Sequence, residues 1–376
     1  MYIQQKQLEN LVKSLTPNKV IVIYGARQVG KTTLLKKFIE KKNEKYLLLN
    51  GEDIFVQRSL EKQSIDQLKS FIGDYKLIII DEAQKIRDVG TILKLMVDNI
   101  ENVKIIASGS STFDLARQVG EPLTGRKKTL KLFPLSQLEL NTIESPIERL
   151  ANLESRLIYG SYPEVILSNS IKDKQKYLIE LVNSYLFKDI LELEGLRHSN
   201  KLSKLLQLIA LQIGQEVSLT EIGTAIGLSK NTVEKYLDLL EKVFIIYKLS
   251  GFSRNLRKEL VKNSRYYFWD LGVRNSLIQN FNPLKLRNDD GFLWQNYIIS
   301  ERIKKQEYTY IFSNNYFWRT YDKQEIDLIE EKEGKLFAYE IKLSARKIVP
   351  PKAWKNTYTD SEFQTITKEN YLSFIT

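Results

Sequence analysis

The first part of the chain alternates short apolar runs with amphipathic segments. Residues 20–23, 77–80 and 103–107 are apolar runs, and helix-prone segments such as residues 33–38 lie between them. This alternation is typical of a parallel α/β sheet. We therefore predict an α/β domain for residues 1–145.

The pattern changes twice in the rest of the chain. Residues 146–250 carry leucine and isoleucine at helical spacing, most clearly in residues 201–211, which predicts a mainly helical region. Residues 251–376 are richer in aromatic side chains and in alternating polar and apolar positions, which predicts strands. The sequence therefore predicts three domains.

The helical region contains a segment typical of a helix-turn-helix. In residues 218–237, two amphipathic helices are separated by Gly227 and Leu228, and Ser229 is placed to cap the second helix. The apolar residues 243–248 that follow predict a strand, and hence a winged helix.

Two interpretations of this winged helix are open. As a DNA-binding module it would place Lys230, Asn231 and Lys235 in a major groove. As a packing module it would contact only protein, and Glu234 on or beside the same surface favours that alternative.

Residues 25–32 match the phosphate-binding pattern G-x-x-x-x-G-K-[ST], between a predicted strand and a predicted helix. Backbone N–H groups and the positive helix N-terminus would surround the phosphates of ATP. Lys31 is expected to reach the β- and γ-phosphates, and the Thr32 hydroxyl to hold Mg²⁺. A chance glycine-rich turn is the alternative. The predicted ATP-binding residues of the loop are Gly25, Ala26, Arg27, Gln28, Val29, Gly30, Lys31, Thr32 and Thr33.

Two acidic residues follow the second apolar run. Asp81 is expected to bind Mg²⁺ directly or through water, and Glu82 to orient or deprotonate the attacking water. The alternative is an acidic helix N-cap after a core strand. The third run ends in a Ser-Gly-Ser-Ser sequence, where Ser110 would contact the γ-phosphate or the water. An ordinary serine-rich turn explains that sequence equally well.

A second group of charged residues lies near the C-terminus. Residues 325–329 and 336–342 predict a hairpin in which Glu340 and Lys342 share a face, alongside Asp327. Two carboxylates and a lysine can bind Mg²⁺ and polarise a water for phosphodiester cleavage. The alternative is an edge hairpin with solvated charges.

Composition restricts the classes of partner. The chain has no cysteine, and its single histidine, His198, is expected to be structural, so thiolate and histidine-cluster metal sites are excluded. The formal charge of +11 favours polyanions such as DNA, although solvated surface lysines would give the same value. No apolar stretch is long enough to span a membrane and the first residues resemble no signal peptide, so we expect a cytoplasmic protein.

The motifs together resemble a bacterial and archaeal family. In that family an AAA-type ATPase module is fused to a domain of unknown function that ends in a PD-(D/E)xK nuclease-like fold. Besides the phosphate loop, the matching segments are D-E-A-Q (81–84), S-G-S-S (108–111), L-T-G-R (123–126), F-P-L-S (133–136), G-S-Y-P-E (160–164), Y-F-W-D-L-G (267–272) and residues 318–342.

The resemblance implies an α/β fold in three domains. These are an AAA-type P-loop parallel sheet (1–145), a helical and winged-helix region (146–250) and a nuclease-like α/β domain (251–376). It also implies that Arg126 contacts the γ-phosphate of its own or a neighbouring subunit in a homo-oligomer, and that Pro163 lies near the nucleotide base. The alternative for Arg126 is a solvated member of a basic run.

One residue departs from the nuclease-like pattern. The family usually has a glutamate on the helix before the first core strand, and the matching position here is Gln295. An amide oxygen can still bind Mg²⁺, but one negative charge is lost.

Two functions follow from the sequence. The leading hypothesis is an ATP-hydrolysing protein that acts on or binds DNA. The second is a nucleotide-gated signalling or scaffold ATPase whose nuclease-like domain is inactive.

Overall fold

The computed structural model describes residues 2–61, 64–109, 122–186, 199–253, 264–344 and 348–376. The chain forms two compact units. The N-terminal unit comprises Tyr2–Pro134 and Lys242–Phe244, and the C-terminal unit comprises Leu135–Glu241 and Ile245–Thr376. The three-domain division with boundaries at 145 and 250 stays a prediction.

The N-terminal unit is built on a parallel sheet of five strands in the order β2-β3-β4-β1-β5. The apolar runs predicted as strands, and the helix predicted after the first, are all confirmed. The strands are β1 (Lys19–Gly25), β2 (Tyr46–Asn50), β3 (Leu77–Asp81), β4 (Lys104–Gly109) and β5 (Lys127–Leu132). The helices are α1 (Lys6–Ser14), α2 (Lys31–Glu40), α3 (Ile54–Leu60), α4 (Ile65–Ile72) and α5 (Val89–Asn99), with a 3-10 turn at Ala83–Lys85.

Polar residues follow the buried strands of the parallel sheet, and they lie at one edge because the strands run in the same direction. The first four residues of β3 are fully buried, as expected for a parallel strand covered on both faces. Parallel strands end at the same edge, and the register pairs Asn50 with Asp81 and Tyr24 with Gly109. The phosphate loop after β1, Asp81 at the end of β3 and Glu82 directly after it therefore lie at the same edge of the sheet.

The C-terminal unit contains a seven-stranded mixed sheet in the order β12-β11-β10-β9-β7-β8-β6. Its strands are β6 (Glu216–Val217), β7 (Ile246–Gly251), β8 (Ser264–Phe268), β9 (Asn314–Arg319), β10 (Glu325–Lys332), β11 (Lys335–Ile341) and β12 (Glu362–Ile366). Its helices are α6 (Gln137–Leu140), α7 (Pro146–Tyr159), α8 (Pro163–Leu167), α9 (Ile171–Glu180), α10 (Ser199–Leu211), α11 (Leu219–Ile226), α12 (Lys230–Lys242), α13 (Leu271–Leu277), α14 (Asp290–Thr309), α15 (Lys352–Thr357) and α16 (Tyr371–Ile375). Two further segments are a π-helical stretch at Leu181–Leu186 and a 3-10 turn at Leu284–Leu286.

The predicted helix-turn-helix is present as α11 and α12. Gly227 ends α11 with a φ of 67°, and the Ser229 hydroxyl accepts a hydrogen bond from the Thr232 amide at 3.2 Å. The strand that follows begins at Ile246 rather than at residue 243. The reason is the backbone at Phe244, whose φ of 61° is incompatible with an extended strand.

The predicted C-terminal hairpin is formed by β10 and β11. Its turn is the residue pair Glu333 and Gly334, whose φ values of 50° and 77° suit a two-residue hairpin turn. Apolar side chains of the hairpin, including Ile326 and Ala338, pack with Trp354 in a buried cluster. This packing anchors the hairpin to α15.

Two motifs of the family resemblance contact each other in the C-terminal unit. The Asp270 carboxylate accepts hydrogen bonds from the amides of Ser161, at 2.7 Å, and Val273, at 3.1 Å. A Cβ at Gly160 would overlap that carboxylate. Burial raises the pKa of Asp270, although the bound amides oppose this effect. Asp270 therefore acts in the structure as a buried link between α8 and α13.

Within the described part of the chain, no helix is both long enough and apolar enough to cross a bilayer.

Candidate nucleotide-binding site and C-terminal cleft

The phosphate loop connects β1 to α2, and steric constraints explain why glycine is needed at two of its positions. Gly30 has a φ of 98°, which favours glycine, and immediately precedes α2. A Cβ at Gly25 would overlap the carbonyl oxygen of Leu132 on the neighbouring strand β5. The loop therefore lies at the N-terminus of α2, where backbone N–H groups and the helix dipole favour an anion.

Lys31 is the first residue of α2, and its side chain lies inside the phosphate loop. Its side chain is only 6% exposed, and its ammonium donates hydrogen bonds to the carbonyls of Gly25 and Ala26, each at 2.9 Å. The buried charge is therefore held by the loop that the sequence predicts to bind phosphates.

Asp81 connects the ends of three elements. Its carboxylate accepts hydrogen bonds from the Thr32 hydroxyl, at 2.7 Å, and from the Ser108 hydroxyl at the end of β4. A carboxylate and a hydroxyl are hard oxygen ligands, so this pair fits Mg²⁺, which uses few protein ligands beside phosphate and water. Sequence reasoning did not single out Ser108, and Ser110, the predicted residue, lies outside the described residues.

Glu82 follows directly and has an unusual backbone. Its φ of 51° and ψ of 41° lie in the left-handed region, and its carboxylate accepts a hydrogen bond from the Gln84 amide at 2.5 Å. The structure thus places the predicted water-orienting acid at the end of β3, next to Asp81.

Gln5 contacts the phosphate loop, although no motif in the sequence around it predicts this contact. Its side chain is 3% exposed, and its amide donates to the carbonyl of Val29 at 2.8 Å. The segment before α1 therefore supports the loop from a position about twenty residues upstream in the sequence.

Three further predictions concern residues away from the loop. Arg126 donates a hydrogen bond to Asp98 on α5 at 2.5 Å, and its predicted γ-phosphate contact stays a prediction. Pro163 is the first residue of α8 in the C-terminal unit, so its predicted contact with the base also stays a prediction. His198 lies outside the described residues.

The C-terminal unit contains a cleft of about 700 Å³ beside the hairpin. Its walls come from the segment before β6, the start of β8, the start of α14, the start of β10 and the end of β11. They include Gly214, Arg265, Phe292, Gln295, Asp327 and Lys342.

The predicted carboxylates and lysine are close to one another in the structure. The Lys342 ammonium lies 2.7 Å from a Glu340 carboxylate oxygen and 3.7 Å from an Asp327 oxygen. Asp327 is 2% exposed and Glu340 7% exposed, so these acids are buried. The alternative of solvated hairpin charges is therefore wrong for both acids.

Burial changes the titration of all three groups. Burial and the nearby Asp327 carboxylate raise the pKa of Glu340 to about 7, although Lys342 opposes the shift. Burial likewise raises the pKa of Asp327, against the effects of Lys342 and the Ile341 amide. Burial opposes the charged form of Lys342, but Asp327 and Glu340 together raise its pKa.

Gln295, on α14, lies beside Asp327 of β10. Its amide donates to one Asp327 oxygen at 2.5 Å, and its own oxygen is buried without a hydrogen-bond partner. Across the described ranges, no three acidic or histidine side chains converge into a metal-binding group. The donor set therefore fits a divalent cation only weakly, through two carboxylates and one amide oxygen.

Three separate segments of the chain match known protein families. Residues 17–141 match the family described as "AAA domain", residues 150–284 match "Domain of unknown function (DUF8612)", and residues 290–366 match "Domain of unknown function (DUF4143)".

Similar proteins match either most of the chain or a short part of it. An uncharacterized protein of Mycobacterium tuberculosis is 24% identical over 337 residues, covering 88% of this chain and 72% of that protein. An uncharacterized ATP-binding protein of Methanocaldococcus jannaschii is 46% identical over 48 residues, covering 12% of this chain and 81% of that protein.

Among solved structures, a signal transduction ATPase with numerous domains, with a tetratricopeptide repeat sensor, from Pyrococcus horikoshii is 15% identical. The match covers 81% of this chain and 46% of that chain, with a TM-score of 0.30, which is too low to compare the two folds in detail. The N-terminal unit therefore has a parallel α/β sheet with a P-loop-like turn, and residues 17–141 are similar to the AAA domain family.

Proposed function

We propose that this chain hydrolyses ATP at the phosphate loop and that the nucleotide regulates its binding to DNA. The observation that carries the proposal is the convergence of Lys31, Thr32, Asp81 and Glu82 at one edge of the parallel sheet. The ATP-binding description of the Methanocaldococcus jannaschii protein supports the choice of nucleotide.

Each residue has a distinct role in this proposal. Lys31 binds the β- and γ-phosphates, and Thr32 and Asp81 hold Mg²⁺, which when bound neutralises phosphate charge. Glu82 orients the attacking water and accepts its proton. Ser108 fixes the Asp81 carboxylate through its hydrogen bond.

The helix-turn-helix supports DNA as the partner. The order α10, β6, α11, α12, β7, β8, with β8 paired antiparallel to both β6 and β7, supports the winged-helix prediction. The formal charge of +11 also favours a polyanion.

Neutralising Lys230 and Lys235 together should weaken DNA binding. Both side chains are exposed on α12, and phosphate contacts make affinity fall as salt rises. If both contact phosphates, the slope of log affinity against log salt should become less negative by about 2 in a fluorescence anisotropy titration.

The matched control replaces Lys172 and Lys176, two exposed lysines of α9. An unchanged slope in the Lys230/Lys235 variant would assign the winged helix to protein packing. Arg254, Arg257 and Lys258 would then be the next residues to test, and they lie outside the described residues.

A specific observation also favours the second candidate function. Glu234 and Asp238 are exposed on α12 beside the two lysines, so this helix presents no uniformly basic surface to DNA. A nucleotide-gated scaffold would instead assemble in an ATP-dependent manner without DNA affinity. Measuring DNA affinity and ATP turnover with duplex and single-stranded DNA separates the two functions.

The C-terminal cleft supports a nuclease-like fold with a weakened metal site. Helix α14 precedes the antiparallel strands β9, β10 and β11, and β12 pairs parallel to β11 after α15. Gln295 supplies no charge, and Glu340, with its pKa of about 7, is partly protonated at neutral pH. We therefore propose that this domain binds nucleic acid and cleaves it poorly or not at all.

A further inference from the structure

The turn between β9 and β10 exposes an aromatic ring beside a cavity. This turn comprises residues 320–324, and Tyr321 in it is fully exposed to solvent. A cavity of about 300 Å³ borders the turn, and its walls include Phe317, Tyr321 and Lys323. A tyrosine in this position adds little to the packing of its own unit, so its ring is available to a ligand.

The cavity is continuous with the C-terminal cleft. Glu216 and Arg319 line both of them, and their side chains form an ion pair at 2.8 Å. A guanidinium has five N–H donors, so Arg319 can bind a phosphate while it keeps its contact with Glu216. The cavity and the cleft therefore form one groove that leads from Tyr321 to Asp327.

Arg265 provides a second donor in this groove. Its guanidinium lies 4.5 Å from the centre of the Phe317 ring, and it forms part of the cleft wall. Arg265 is 3% exposed, and its Nε is buried with no hydrogen-bond partner among the described residues. Since buried donors are nearly always satisfied, we expect a group bound in the groove to accept a hydrogen bond from Arg265.

The chemistry of the groove matches one class of ligand. Cations that follow a backbone, together with an aromatic ring on which a base stacks, are the arrangement that binds single-stranded nucleic acid. The bases of a duplex are stacked on one another, so an exposed ring can take only an unpaired base. The turn adds little net charge, because Asp322 offsets one of the two cations Arg319 and Lys323. Stacking would therefore contribute more to the affinity than charge does.

We propose that single-stranded nucleic acid enters the C-terminal cleft across the β9–β10 turn, with an unpaired base stacked on Tyr321 and the adjoining phosphate bound by Arg319. The proposal rests on the nucleic-acid binding proposed above for this domain, and it names the substrate class as an unpaired strand.

The test is a fluorescence anisotropy titration of the full chain with a labelled oligonucleotide of about 12 thymidines and with a blunt duplex of the same length. We expect Tyr321→Ala to lower the affinity for the single strand roughly tenfold, as stacked bases do on alanine substitution, and to leave the affinity for the duplex unchanged. Tyr321→Phe keeps the ring and should bind as the parent does. Phe312→Ala is the matched control, because Phe312 is 86% exposed at the opposite end of β9.

An abasic oligonucleotide of the same length separates stacking from backbone contacts. The parent should bind it roughly tenfold more weakly than the thymidine strand, and Tyr321→Ala should cause no further loss, since the ring then has no base to stack on.

Unchanged single-strand affinity in Tyr321→Ala, or an equal loss with the duplex, overturns the stacking proposal and leaves DNA binding intact. A parent that binds only the duplex has the same consequence. A parent with no measurable affinity for either probe overturns the proposed DNA binding as well.

Discussion

Replacing Lys31 with alanine is expected to weaken ATP binding by roughly 100-fold. The ammonium lies inside the phosphate loop, and hydrogen bonds to charged groups contribute about 1.5–3 kcal/mol each. Loss of about 2.8 kcal/mol corresponds to a factor of 100 in Kd. Isothermal titration calorimetry with ATP and Mg²⁺ measures the change directly.

Lys36→Ala is the control for this substitution. Lys36 lies on the same helix, but its side chain is exposed, so its removal lowers the charge of α2 equally without altering the loop. We expect its affinity for ATP to stay within a factor of two or three of the parent, since exposed charges contribute little. Parent-like affinity in Lys31→Ala would contradict the nucleotide site itself.

Replacing Gln295 with glutamate should convert the C-terminal cleft into a stronger metal site. The new carboxylate would lie beside Asp327, at the position of the present amide, and hard divalent cations prefer anionic oxygen ligands. We expect Mn²⁺ affinity to rise on the order of tenfold or more in calorimetry. Nuclease activity should appear or increase, and Asp327→Ala should abolish it.

The same experiment has a charge control and a pH dependence. Gln215→Glu adds the same charge to an exposed position of the cleft and should change Mn²⁺ affinity little. Since the pKa of Glu340 is about 7, metal binding should strengthen between pH 6 and 8 as that carboxyl loses its proton. Undetectable metal binding and intact DNA in a folded Gln295→Glu variant would retire the nuclease hypothesis.

Local patterns were sufficient to predict the elements that carry the nucleotide site. The phosphate loop is defined by contiguous residues, and the buried strand before Asp81 is visible as a continuous apolar run. The carboxyl ends of parallel strands meet at one edge of a sheet, so the proximity of Thr32 and Asp81 also follows from the pattern.

The supporting contacts could not be predicted because they join distant parts of the chain. Gln5 contacts Val29, Gly51 contacts Asp81 and Glu82, and each pair depends on strand order and side-chain rotamers that no local pattern encodes. Likewise, the motif around Asp270 contacts Ser161, 109 residues earlier. The family resemblance identified residues 160–164 and 267–272 as motifs, but it did not predict that they contact each other.

The strand after the helix-turn-helix shows a different limit of prediction from sequence. Residues 243–245 are as apolar as the strand that follows them, so hydrophobicity alone placed the start of β7 three residues early. The left-handed backbone at Phe244 ends the preceding turn and determines where the strand begins.

The most direct test of the central claim is the steady-state ATP turnover of Glu82→Gln at saturating ATP and Mg²⁺. The amide keeps the size of the side chain but cannot accept the proton of the attacking water, and general bases typically contribute a factor of about 10²–10⁴. We predict an unchanged Kd for ATP and a kcat lower by roughly 100-fold or more. Turnover at the parent rate would contradict the assignment of Glu82 and the hydrolytic mechanism built on it.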